Sequence, residues 1–377
     1  MFKYLLPVCG VCLWAGVLTA NQAAPQDAPL LAGQYFKNVQ MLKGLPVDEF
    51  LDTMGMFAAS TGLNCTDCHV DESGGSWERY ADDNPLKIRT RQMMAMMTAI
   101  NKQHFGGRQG VTCYSCHNGN RRPKVIPSLA LQYAVNPVLD DPYEFLKPAF
   151  DAPAIDAVFD RYIEAAGGAA RLKGMTGFIA EGIYSGYDDF DEYPVPVFAQ
   201  APNRRTTVLR SQYGDLTTVF DGRSGWQASP LETEPVPVMV LTGGNLQGVA
   251  LEAHLSFPAQ IKQALSNWIV GPLTSIGDRQ MRIVQGRTAT GEPVKLYFDE
   301  DSGLLARVIW YSSESPVGRV PTQTDFEDYR DVSGIKFPFK WTSTWTNGRT
   351  GYQLKSVQLN PTIPAARFAR PVAPPRP

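Results

Sequence analysis

Two short runs, Cys65-Thr66-Asp67-Cys68-His69 and Cys113-Tyr114-Ser115-Cys116-His117, each set two thiols one helical turn apart, with an imidazole directly after them. A haem has two vinyl groups that can each form a thioether with a thiol, and an iron that accepts an imidazole. The frame Cys-x-x-Cys-His presents all three groups together. Two covalently bound haem c groups are therefore the expected cofactors. Cys65, Cys68, Cys113 and Cys116 would be the attachment points, and His69 and His117 the axial ligands. A four-cysteine zinc site would span a gap of 44 residues and leave both histidines unused. Thiol redox pairs or disulfides leave them unused as well.

The sixth ligand follows from counting. The chain has four histidines, and only His104 and His254 remain once the motifs are served. Methionines gather just upstream of each motif instead: Met54 and Met56 before the first, Met93, Met94, Met96 and Met97 before the second. A thioether opposite an imidazole raises the iron potential and favours electron transfer. A methionine stripe is also ordinary core filler, so the pattern alone leaves both readings open.

Both methionine segments read as helices. One runs from Pro46 to about Ser60, with Gly62 as its stop; Asn84 then Pro85 caps and opens the other, which continues to about Lys102. In the first, Met54 shares a face with Phe50, Leu51, Phe57 and Ala58, whereas Met56 lies among Asp52, Thr53, Ala59 and Ser60. Met54 is thus the better placed to meet a haem. In the second, Met93, Met96, Met97 and Ile100 form one broad stripe, and periodicity does not choose.

The bulk properties set the frame. A chain of 377 residues is long enough for two domains. The net charge of -2 makes nucleic acid a poor partner. Residues 1–24 read as an export signal: Lys3, an apolar stretch from Leu5, then small residues to Ala24. The protein is expected in the periplasm, with membrane association through a retained N-terminal segment or a partner as the alternative. Cys9 and Cys12 would leave with the signal.

The run Gly110-Val111-Thr112-Cys113-Tyr114-Ser115-Cys116-His117, with Leu51 to His69 and Arg91, Met93, Met96, Ile100 and Asn101, resembles the cytochrome subunit of photosynthetic reaction centres. The resemblance covers roughly residues 34 to 125. It implies Met54 as axial ligand of the first haem and Met96, with Met93 in reserve, for the second. It implies electron transport, with redox proteins or a photosynthetic or respiratory complex as partners, more firmly than photosynthesis itself. There are departures. Only two haem motifs are present, His104 has no further haem to serve, and Asn118 stands where the family has an arginine. The basic run Arg121-Arg122-Pro123-Lys124 reads first as a solvated loop, with propionate neutralisation or docking as the other uses.

The expected architecture is α+β. A mostly helical dihaem domain at 25–125 and a Pro-rich linker at 126–153 precede an antiparallel half-barrel with one amphipathic helix at 154–377. Ile155, Val158, Phe159, Tyr162, Ile163 and Ala166 repeat at helical spacing before Gly167-Gly168. The period then changes to two over Phe178–Tyr187, Arg204–Arg210, Leu216–Phe220, Met281–Gln285, Val294–Phe298 and Leu304–Tyr311. The opening helix and the Gly225-Trp226, Ser302-Gly303 and Gly334-Ile335 turns weakly resemble the LolA/LolB lipoprotein-carrier fold. That resemblance implies a concave face able to take a lipid or a quinone. His254 stands alone and reads as structural. No nucleophile, base and acid cluster, so an electron carrier is expected rather than an enzyme. A dihaem peroxidase-like enzyme and an apolar-ligand carrier or sensor are the alternatives.

Overall fold

The computed structural model describes residues 28–126, 148–150, 152–186, 191–230, 235–312 and 317–373. The signal segment and most of the Pro-rich linker lie outside them.

The N-terminal part is built from helices joined by loops: α1 (Ala32–Tyr35), α2 (Val47–Thr61), α3 (Cys65–Cys68), α4 (Pro85–His104) and α5 (Cys113–His117). Their ends follow the sequence. Asn84 caps α4 by accepting from Leu86 N and Lys87 N, with Pro85 at the first position. Gly62 ends α2 in the left-handed conformation, φ 68°. A Cβ there would meet Gly119 O at 2.6 Å, so the glycine also lets the loop after the second motif pass against the loop before the first.

The larger part is one open antiparallel sheet of 14 strands. The path runs β7 (Val238–Val240), β6 (Gly225–Ala228), β5 (Gly214–Phe220), β4 (Arg204–Ser211), β3 (Val197–Gln200) and β1 (Gly177–Gly186). It continues β14 (Gly348–Leu359), β13 (Ile335–Trp345), β12 (Val320–Val332), β11 (Leu305–Ser312), β10 (Pro293–Asp299), β9 (Arg279–Arg287) and β8 (Ser266–Ile276), with β2 (Glu192–Pro194) beside β1. All six segments with a two-residue period are strands.

Two corrections concern helices and missed strands. Besides α6 (Ile155–Ala165) and the short α7 (Ala169–Lys173), a further helix α8 (Gly243–Leu255) lies in the sheet part, followed by α9 (Ile261–Ala264). Expecting one helix there was too few. Alpha8 begins Gly-Gly and alternates small and large residues, so no apolar stripe marked it. Strand β13 carries Pro338 and β8 carries Gly271-Pro272, residues that argue against strands in sequence.

The space between sheet and helices is filled. Phe159, Ile261, Leu296, Val197 and Val284 are each at or below 1% exposure, and Phe159 meets Trp268 and Phe298 edge-on. These side chains form a packed core on the face where a lipid or quinone is expected. A cleft of about 510 Å³ lies elsewhere, at hairpin ends lined by Tyr184, Tyr213, Trp345 and Arg349.

The two parts are joined through α2. Asp48 and Glu49 are buried, at 2% and 0% exposure, and reach the start of α8. Thr242 N and Oγ1 donate to Asp48 at 2.6 and 2.8 Å, and Gly244 N donates to Glu49 at 3.1 Å. Thr242, the N-cap residue of α8, makes no side-chain cap of its own. Carboxylates from α2 satisfy those amides instead, where the positive end of the helix dipole favours them. On the hairpin between β13 and β14, Asn347 presses against Gly55, where a Cβ would come within 2.6 Å of its Oδ1.

Candidate haem sites

Each cysteine pair rides on a single helical turn whose cap is built into the motif. In α3, Asn64 Oδ1 accepts from Asp67 N at 3.0 Å, and Asp67 Oδ2 accepts from Asn64 N at 2.9 Å. In α5, Thr112 and Ser115 make the same reciprocal pair. The residue before the second cysteine therefore closes a capping box. The turn sets Cys65 with Cys68, and Cys113 with Cys116, on common faces. All four are free thiols.

The histidines are held alike. His69 Nδ1 lies 3.1 Å from the Tyr80 carbonyl, and His117 Nδ1 lies 3.0 Å from the Asn120 carbonyl. A carbonyl can only accept, so Nδ1 carries a proton in both rings, and Nε2 is the nitrogen left to face a metal. A metal-bound imidazole needs that tautomer. Burial, the largest cause, and the nearby Lys87 cation hold His69 below its usual range, which keeps the ring neutral. The donor set fits a haem c at each motif: two thiols on one turn, then an imidazole fixed through its far nitrogen.

The first motif is tied to α4. Asn84 Nδ2 donates to Asp67 O and His69 O, while its Oδ1 caps α4. Lys87 Nζ donates to Tyr80 O at 2.8 Å, the same carbonyl that receives His69 Nδ1. Asn101, buried on α4, fixes the second motif. Its side chain accepts from Gly110 N and Val111 N and donates to Val111 O, all within 3.0 Å. Asn101→Ala should leave the part-buried Gly110 and Val111 amides and the Val111 carbonyl without their partner and cost roughly 1–3 kcal/mol. Chemical denaturation would show that loss; an unchanged midpoint would refute the pinning role.

The structure sorts the methionines. Met56, Met94 and Met97 are buried at 6–7% exposure and pack with Val317 and Val320 at the start of β12. Cys113 of the second motif packs against the same cluster. Met54 stands two residues from Met56, some 200° round the helix, so it lies on the side of α2 away from the second motif. Met54 and Met93 are half-buried, and Met96 is 48% exposed.

The burial of α2 inverts its amphipathicity. Its polar residues Asp48, Glu49, Thr53 and Ser60 are buried, while Phe50, Leu51, Met54, Phe57 and Ala58 are all only half-buried. The α8 amides claim that polar side. The apolar face beside Met54 suits a large flat apolar group. Around Met96, Ala95 and Ala99 are small enough to let one approach.

The other histidines stay apart from this constellation. His104 is exposed at the end of α4. His254 lies on α8, its Nε2 3.3 Å from Asn203 Nδ2. Sequence reasoning missed Asn84, Lys87 and the Asp48–Glu49 pair. Asn84 was read as a cap only, and nothing in the sequence joins Asp48 to Thr242.

Residues 15–135 match the family model of the photosynthetic reaction centre cytochrome C subunit. The reaction center cytochrome c subunit of Thermochromatium tepidum is 40% identical over 100 residues, covering 25% of this chain and 23% of that protein. That of Rubrivivax gelatinosus is 35% identical over 118 residues, covering 28% and 30%. The chain thus spans less than a third of the length of these relatives. Among solved structures, a LolA superfamily protein from Nitrosomonas europaea covers 58% of this chain and 98% of its own, at 13% identity and a TM-score of 0.40. A DUF1329 family protein from Desulfovibrio piger covers 57% and 97%, at 9% identity and a TM-score of 0.40.

Proposed function

We propose that this chain is an exported dihaem c-type cytochrome that carries electrons between partners of the cell envelope. The observation that carries the reading is the repeated histidine arrangement: each ring follows a cysteine pair on a capped turn and gives its Nδ1 proton to a backbone carbonyl. The matching relatives, named as reaction center cytochrome c subunits, support the same reading.

A bound haem supplies one-electron chemistry at its iron. The chain's own residues do the rest. Cys65, Cys68, Cys113 and Cys116 would attach the groups, and His69 with Met54 and His117 with Met96 would hold the irons. Asn84 and Asn101 fix each motif against α4. Imidazoles oriented through Nδ1 would keep ligation constant while charge changes, so little reorganisation would accompany transfer. Two saturated irons suit a carrier better than a peroxidase-like enzyme, which needs an open or displaceable position. Among the described residues no helix is long and apolar enough to cross a membrane.

The test is a pyridine haemochrome assay with an intact mass, then a near-infrared spectrum. Two haems per chain and a methionine-to-iron band from both are expected. One haem, or a high-spin five-coordinate centre, would overturn the reading.

Lys87 offers a finer check. Its ammonium competes with His69 for the Tyr80 carbonyl and sets a positive charge near the first iron site, which favours the reduced state. Lys87→Met should lower one midpoint potential by about 40 mV, the equivalent of ~1 kcal/mol for one electron. Equal potentials in both proteins would refute the role.

A further inference from the structure

The stretch from Asn84 to Ile126 carries Lys87, Arg89, Arg91, Lys102, Arg108, Arg121, Arg122 and Lys124, and not one aspartate or glutamate. The chain has 35 Lys and Arg against 37 Asp and Glu, so outside this stretch the balance is 27 against 37. An almost neutral protein thus concentrates its positive charge on the segment of the second motif.

The fold sharpens that asymmetry. The acidic residues of the N-terminal part are largely spent elsewhere. Asp48 and Glu49 are buried against α8, and Glu78 and Asp82 pair with Lys37 and Arg79. Asp83 takes up Arg91 and Lys87. Six cations remain exposed: Arg89, Lys102, Arg108, Arg121, Arg122 and Lys124. Among the described residues none of them has a carboxylate within ion-pair distance.

Their placement is not scattered. Lys102 and Arg108 stand at the end of α4 and in the loop that Asn101 ties to Val111, just before the motif. Arg121, Arg122 and Lys124 follow directly after it. Cations therefore flank the second motif on both sides.

We propose that this face docks a small redox protein with an acidic surface, which exchanges electrons next to the second motif. The partner follows from charge complementarity, which steers diffusional encounter and weakens with salt. An anionic bilayer has the same charge but fits less well. Membrane-surface helices set Trp, Phe or Leu opposite their cations. The inner side of α4 is already packed with Met94, Met97 and Asn101, and the exposed Ile88, Met96 and Phe105 are interspersed along the chain with Arg89, Lys102 and Arg108. Haem propionates would offset part of the charge without creating the asymmetry.

The inference rests on the electron-carrier reading, and its test separates the two. A plant-type ferredoxin, which is acidic, is titrated into the full haem-loaded chain by calorimetry. A basic mitochondrial cytochrome c and vesicles with roughly one third phosphatidylglycerol are run in parallel. Binding of ferredoxin at low salt is expected, weakening about tenfold or more by physiological ionic strength. The variant Lys102→Glu/Arg108→Glu/Arg122→Glu should lose it with an unchanged visible spectrum. The wild-type salt series stands even if that variant does not fold. Absent or salt-independent binding, equal binding of the basic control, or binding only to vesicles would overturn the proposal. So would a variant that binds normally but shifts its haem spectrum, which would assign the cations to the propionates. Haem content is read on the same preparation. A haem-free chain that binds ferredoxin would sink the electron-carrier reading alone, and a haem-loaded chain that does not bind would sink the docking alone.

Discussion

Met54→Ala and Met96→Ala are each expected to abolish one low-spin His/Met signature and lower one midpoint potential by on the order of 0.1 V or more. Met56→Ala, Met94→Ala and Met97→Ala are expected to leave both signatures intact and cost about 2–5 kcal/mol of stability. The contrast rests on burial. Met56, Met94 and Met97 close the contact of α2 and α4 with the start of β12, where they pack with Val317 and Val320. A side chain used there has no face left for an iron. Met54 and Met96 are left out of that contact, on the sides of α2 and α4 turned away from it. The measurements are near-infrared spectra, redox titrations and denaturant midpoints on the five variants. If Met54→Ala or Met96→Ala keeps both His/Met bands, that assignment fails; for the second iron, Met93→Ala would then be the variant to lose one.

Legibility in the sequence followed the range of the interactions. The Cys-x-x-Cys-His runs are local, and so were their helical turns. Helix ends at Gly62 and Asn84 were visible because caps are chemistry within a few residues. Strands such as β10, whose seven residues are all buried, stood out by composition. The rest depended on partners far along the chain. Met56 and Met54 looked alike by type and were ranked by the polarity of their neighbours. Burial does separate them, but because Thr242 and Gly244 draw the polar side of α2 inward, nearly two hundred residues away. At the start of α8, Thr242 is a cap residue by type, yet the acceptor observed there is Asp48, supplied from α2.

That borrowed cap leads to the second large effect. Asp48→Ala/Glu49→Ala should destabilise the protein by roughly 2–5 kcal/mol, since it strands the Thr242 and Gly244 amides without acceptors at a buried helix end. It should also split unfolding in two, with haem absorbance changing before the sheet's far-ultraviolet signal. A single unchanged transition would show that α2 does not depend on α8. Charge at this junction has its own cost. Burial, the largest cause, raises the Asp48 carboxyl, and burial with the nearby Asp48 charge pushes Asp52 up to about 6 from 3.8. A carboxyl raised by folding holds its proton more tightly in the folded state. Its stability contribution is full below about 3.8, falls as pH rises towards 6, and stays low above that. Asp83, Asp299 and Asp328 are lowered by their partners, so their contributions are lost only below the ordinary carboxylate range and do not cancel this window. Burial holds His69 and His254 below their usual range, and their share runs the other way, lost as pH falls below about 6.5. The Asp52 share between pH 4.5 and pH 7.5, on the order of 1–3 kcal/mol, is therefore read as the difference between wild type and Asp52→Asn. Asp52→Asn, which keeps an oxygen for Asn245, should recover most of that at pH 7.5 and flatten the profile. Replacing a buried charge by a neutral isostere removes the desolvation cost, whereas truncating Asp48 and Glu49 removes the partners and keeps the buried amides. Denaturant midpoints of the three proteins at both pH values separate the two effects, and an Asp52→Asn protein whose gain over wild type is the same at both pH values would refute the assignment.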